Sequence, residues 1–178
     1  MEKENFEIVD KKGNVIGMAS RKECHNNPGI IHRVAHVLVF NSQNELYLQK
    51  RSKTKDIQPG KWDTSVGGHL NPGESFEIAA YREMKEELGI KEIRLIYMYN
   101  YIHRSECESE MVYTYKTVYD GEIVINREEI EEGKFWDKKE IDFFLKKDVF
   151  TPNFEEEYQM YLEWSIVNQK GYPCQGKI

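Results

Sequence analysis

The sequence predicts an α+β domain, an α/β/α sandwich in which a mixed β-sheet lies between helices. Three observations predict it. Aromatic and β-branched runs stand on both sides of one long helix-forming segment, residues 74–88. Two more segments near the C-terminus, 138–147 and 154–169, have helical composition. The length of 178 residues suits one domain with extensions, large enough to bury a core without disulfides or a structural metal.

Residues 6–10 and 15–19, joined by Lys11-Lys12-Gly13-Asn14, read as a β-hairpin. Ser20 can cap a short helix through His25, and Asn26-Asn27-Pro28-Gly29 breaks it. Segments 30–40 and 45–50 read as two strands around the turn at 41–44. Over 51–63, Pro59-Gly60 opposes regular structure; Gly67-Gly68 and Asn71-Pro72-Gly73 then read as a tight loop whose backbone can approach a ligand. Segments 93–102 and 111–119 read as strands, and 122–125 as a short one. Segment 127–136 reads as a charged loop feeding a last strand. The expected organisation is an N-terminal hairpin extension packed on the core at 1–29, the catalytic domain at 30–170 and a loose tail at 171–178.

The helix at 74–88 carries the chemistry. At roughly 100° per residue, Glu83, Glu86 and Glu87 project from one face, while Tyr81, Met84 and Leu88 form a neighbouring stripe for packing. Three carboxylates at these spacings repel one another, so a cation among them is stabilising. Their hard oxygens suit Mg²⁺ or Mn²⁺. Glu74, in the first expected turn, complements the helix dipole.

Net charge is −6 with no basic run, which argues against a nucleic-acid duplex as partner. Cys24, Cys107 and Cys174 are odd in number and lack CxxC spacing, so reduced thiols are expected. Without an apolar signal region or a membrane-length apolar run, the expectation is a soluble cytoplasmic protein. The sequence leaves oligomeric state open, a homodimer being the commonest soluble assembly.

The pattern G-x5-E-x7-R-E-[apolar]-x-E-E-x-G-[apolar] is filled at Gly68, Glu74, Arg82, Glu83, Met84, Glu86, Glu87, Gly89 and Ile90, and it resembles the Nudix box. The resemblance implies a Nudix-type sandwich and a hydrolase that attacks a diphosphate, in a nucleoside diphosphate linked to another moiety or a similar metabolite, with metal-activated water. By position it implies Glu83, Glu86 and Glu87 as metal ligands, the Gly67 carbonyl beside them, and Arg82 orienting the carboxylates. The general base stays open: Glu83, or a glutamate of a later loop among Glu128, Glu129, Glu131 and Glu132, with Glu131 the representative choice.

Outside the box, Arg51-Ser-Lys-Thr-Lys55 and the stretch from Pro59 to His69 are similar to the branch containing type I isopentenyl-diphosphate isomerase. That likeness implies diphosphate contacts from Arg51 and Lys55, and a possible second metal site from His25, His32, His69, Glu108 and Glu110. Such mixed donors suit Zn²⁺, Mn²⁺ or Fe²⁺. The isomerase's proton-transferring cysteine corresponds to Gly67, so the hydrolase reading is preferred. Isomerisation by another acid and a non-catalytic phosphometabolite sensor are the alternatives. Trp62 and Gly68, beside the box, are further candidates for contact with the substrate, and a stripe of Tyr99, Tyr101, Tyr113 and Tyr115 reads as core before ligand platform.

Overall fold

The computed structural model describes residues 4–169 except Asp56, so the expected tail at 171–178 and Cys174 lie outside the described residues. Strands β1 (Asn5–Val9) and β2 (Val15–Ser20) form the expected hairpin, with Gly13 at φ 87° in its turn. Ser20 caps α1 (Arg21–Cys24) through a capping box with Glu23, and His25 closes the helix. The hairpin is continuous with the sheet and not a separate layer, because Ile8 and Val9 of β1 pair with His32 and Ile31 of β3 (Ile31–Phe40).

β3 is the organising strand. It pairs antiparallel with β6 (Val66–His69) and parallel with β8 (Ser109–Val118), and meets β4 (Leu46–Arg51) at Phe40↔Leu46. β5 (Trp62–Asp63) and β9 (Ile130–Trp136) flank β4, and β7 (Ile96–Arg104) flanks β8, which completes a mixed nine-stranded sheet. Alternation along β3 separates two cores. Ala35, Val37 and Val39 pack with Met84 and Leu88 of α2 (Phe76–Leu88) on one face. Leu38 and Phe40 pack on the other with Trp136, Ile141 of α3 (Lys138–Phe144) and Phe154 and Tyr158 of α4 (Pro152–Gln169). The α/β/α sandwich expected from the sequence is the observed fold.

Four local expectations are corrected. Gly67-Gly68 is strand β6 and not loop, because β3 pairs with it residue for residue. Residues 122–125 form no strand. In segment 127–136 the charged loop shrinks to a turn at 127–129, and the expected last strand, β9, takes the rest. The acidic helix begins after Ser75, whose hydroxyl accepts from the Ile78 amide, which leaves Glu74 just outside it. The helix stops as expected at Gly89, in the left-handed region at φ 69°. Three of the four tyrosines pack as core: Tyr115 is buried against the α2 face, Tyr113 stacks on Phe76 at 3.8 Å, and Tyr99 lies against the opposite cluster, whereas the Tyr101 hydroxyl donates to Asn153.

Candidate active site

One cavity of about 700 Å³ opens onto the acidic face of α2, the turn before β5, β6 and the start of β8. At its α2 wall, Arg82 is fixed from several sides. Its Nε and one Nη donate to the two Glu74 oxygens at 2.9 and 2.8 Å, and the His69 carbonyl accepts at 2.9 Å. The other Nη donates to Glu83 at 2.7 Å and Glu86 at 3.2 Å. Glu74 thus serves Arg82, which holds its carboxyl below the usual range, and the pair keeps Arg82 charged.

Glu83 and Glu87 are inserted into the cavity wall, whereas the Glu86 side chain is 54% exposed. Burial raises the Glu83 carboxyl, against the pull of Arg82. Glu87 is 6% exposed, and burial, reinforced by the Glu83 charge, pushes it up to about 8. Gln49 of β4 donates to Glu87 at 2.9 Å. Sequence reasoning missed Gln49; its signal is an amide after the apolar run Leu46-Tyr47-Leu48.

Gly68 shows why its position excludes a side chain. A Cβ there would fall inside the Glu83 carboxyl group. The variant Gly68→Ala is expected to lose about 1–3 kcal/mol of stability as Glu83 is displaced, together with most activity; melting curves and turnover measured on the same preparation check both.

Arg51 donates through Nε to the Ile57 carbonyl and through one Nη to Asp63, both at 3.0 Å, and lines the cavity. Lys55 also lines it, paired with Glu129. Of the later-loop glutamates, Glu129 lines the cavity. Glu131 does not; its carboxylate lies 3.4 Å from Lys50 and 3.8 Å from Lys53. Trp62 is also outside the lining, edge-on to Trp136 at 5.0 Å in the core.

The five histidine and glutamate candidates converge. His25, His32 and His69 place one ring nitrogen each within 4.8 Å of one another, and His32, Glu108 and Glu110 do the same with their ligand atoms. His25 Nε2 is 3.1 Å from His69 Nε2, and 3.5 Å from Glu108. His32 is fully buried, and neither of its ring nitrogens makes a hydrogen bond within the normal limits. Burial, then His25, pushes His32 down to about 3; burial, then His32, holds His69 well below its ordinary value. Burial thus favours the neutral imidazole in both, the form with a lone pair to offer. Phe6 of the hairpin stacks on His69 at 4.2 Å and supports the cluster, a role the sequence did not signal.

A family model described as NUDIX domain matches residues 30–157. The chain belongs to the Nudix family. As a Nudix hydrolase it acts on diphosphate-linked substrates. It is 30% identical to an uncharacterised Nudix hydrolase of Listeria monocytogenes over 155 residues, covering 85% of this chain and 90% of the relative. It is 29% identical to isopentenyl-diphosphate Delta-isomerase 1 of Photorhabdus laumondii over 168 residues, covering 90% and 96%. Among solved structures, a Deinococcus radiodurans protein superposes with TM-score 0.77 at 22% identity, covering 88% of this chain and 98% of that one. The MutT protein of Methanosarcina mazei superposes with TM-score 0.66 at 19% identity, covering 80% and 96%, and at such identities the likeness shows the Nudix fold. Among the described residues, no helix is long and apolar enough to cross a membrane.

Proposed function

We propose that this chain hydrolyses the diphosphate linkage of a nucleoside diphosphate joined to another moiety, or of a similar metabolite, with Mg²⁺ or Mn²⁺ held by Glu83, Glu86 and Glu87. The observation that carries the reading is Glu87, a carboxylate 6% exposed, raised by burial and by Glu83, and opening into a cavity. An all-oxygen set with surplus negative charge fits a hard divalent cation. When bound, that cation supplies charge neutralisation at the diphosphate oxygens and a lowered water pKa.

The chain's own groups do the rest. Arg82, clamped by Glu74 and the His69 carbonyl, holds Glu83 and Glu86 in position. Arg51, half engaged by Asp63 and Ile57, turns its remaining donors to a phosphate, and Lys55 adds a second fixed charge. Glu129 takes the proton from the attacking water as the new oxygen–phosphorus bond forms and the bridging one breaks. Glu129→Gln is expected to lower kcat about 10²–10⁴-fold, while Glu131→Gln stays near wild type. Equal losses in the two variants would remove Glu129 from this role.

A second ion fits the histidine and glutamate cluster, whose nitrogen donors, among them the buried His32 with its Nε2 3.8 Å from Glu110, suit Zn²⁺, Mn²⁺ or Fe²⁺. That cluster is also what favours a second reading, isopentenyl-diphosphate isomerisation, given the Photorhabdus relative's name. Against it, Gly67 has no side chain to move a proton. The decisive experiment measures Mg²⁺-dependent release of phosphate or monophosphate from a panel of diphosphate compounds, with Glu86→Gln/Glu87→Gln as blank. Release that vanishes in the blank supports hydrolysis; rearrangement of isopentenyl diphosphate without release supports the isomerase.

A further inference from the structure

On the side of the sheet away from α2, the cavity ends against polar side chains. His36, Asp63, His103, Glu110, Thr151 and Asn153 line it there. The aliphatic side chains in the whole lining are those of Val34, Ile57 and Pro152. Behind this wall runs a buried network. His36 Nδ1 lies 3.0 Å from Glu157 Oε1, which also accepts from the Thr114 hydroxyl at 2.7 Å. The Asn153 amide donates to Glu110 at 3.0 Å while its carbonyl accepts from Tyr101 at 2.8 Å, and Thr151 donates to Asp63 at 2.8 Å. Glu157 is fully buried, so His36 is set on a fixed support.

His36 of β3 faces Gly67 of β6 across the ladder. A Cβ on Gly67 would lie 3.1 Å from both Cδ2 and Nε2 of His36, tighter than ordinary contact. The imidazole thus occupies the space that a side chain at position 67 would take. With Nδ1 engaged by Glu157, the Nε2 edge is the one left beside Gly67, and both residues line the cavity.

We propose that His36, seated on Glu157, recognises the part of the substrate beyond the diphosphate, and that this part bears hydroxyl groups and is not an isoprenoid chain. The inference rests on the hydrolase reading above. A hydroxyl both donates and accepts, so it pairs with Nε2 whether or not that nitrogen carries a proton. A hydrocarbon chain would strip water from His36, His103 and Glu110 and return nothing. Sites built around a substrate's hydrogen bonds reject analogues lacking them by about 10⁴-fold or more, whereas apolar pockets discriminate by only about 10²-fold.

The test compares kcat/KM, with Mg²⁺, for a sugar nucleotide, a polyol diphosphate and isopentenyl diphosphate. Wild type is expected to prefer the hydroxyl-bearing substrates by at least about 10³-fold. In His36→Phe/Glu157→Leu, which removes the ring nitrogen and its buried partner together, that ratio falls at least tenfold, chiefly through KM of the hydroxyl-bearing substrates. His36→Gln keeps a polar group at similar reach and holds the ratio within about threefold, which also covers poor folding of the double variant. Wild-type turnover of isopentenyl diphosphate as efficient as that of the sugar nucleotide overturns this inference and leaves the hydrolase reading standing. An unchanged ratio in the folded double variant removes His36 from the role. No phosphate release from any compound overturns the hydrolase reading and this inference with it.

Discussion

Glu87→Gln is expected to hydrolyse substrate about a thousandfold more slowly than wild type, yet to melt higher when metal-free at pH 8. The activity loss removes a buried carboxylate from the cation's ligand set. The stability gain follows from the raised carboxyl, about 8 in the folded chain against an ordinary 4.5. A carboxyl raised on folding binds its proton more tightly in the native state. Its contribution is fully present below about pH 4.5 and is lost as pH rises through about 8. Over that window, metal-free wild type loses stability relative to Glu87→Gln, by an amount of the order of a few kcal/mol. Saturating Mg²⁺ reverses the deficit in wild type, since an ion bound only by the folded state stabilises it by mass action, and the variant responds weakly. Melting curves at pH 5, 6.5 and 8, with and without Mg²⁺, read all of this. Parallel pH profiles for the two proteins would refute the burial of an unneutralised charge at Glu87.

His32→Ala is expected to weaken metal binding at the second cluster more than hundredfold, beyond the 10–100-fold typical of groups that only support a ligand. His32 has no exposed surface, and both its ring nitrogens are without hydrogen bonds at normal distance. A buried polar atom left in that state costs about 1–3 kcal/mol, a penalty that a coordinated ion removes. Metal analysis of protein purified without a histidine tag should show about one equivalent fewer transition-metal ions, in His25→Ala as well, while Glu83→Gln retains them. Unchanged metal content in both histidine variants would leave the cluster as stacked rings around Phe6.

The acidic helix was legible because each of its signals is local: carboxylate spacing, a packing stripe through Met84 and Leu88, and a left-handed stop at Gly89. The sandwich followed, since the strand and helix patterns rarely compete within a segment. What escaped depends on partners distant in sequence. Gly67 and Gly68 look like loop because glycine has low strand propensity. Their reason is close approach by His36 and Glu83 on opposite sides of the ladder. Trp62 belongs to the motif stretch, yet it is turned inward by Trp136. Which of Glu129 and Glu131 lines the cavity depends on the start of β9, which is set against β4 across an irregularity at Lys50/Arg51. Gln49 and His36 each interrupt an apolar strand, a signal that can be read, but what each touches is decided by tertiary pairing.

β3 has a bearing on how such an enzyme can change. His32, Val34 and His36 stand at alternate positions on one side of it, each step about 6.8 Å along the strand. Ala35, Val37 and Val39 face the opposite way and hold α2. Inserting or deleting one residue there would exchange the two sides and destroy core and site together. Replacement at 34 or 36 keeps that register and changes what the far end of the cavity displays, with the buried Glu157 as the partner that a residue at 36 must satisfy. The strand therefore acts as a ruler that tolerates new lettering but no change of length, and laboratory selection for new substrates would do best to randomise Val34, His36 and their neighbours across β6 and β8 by substitution alone.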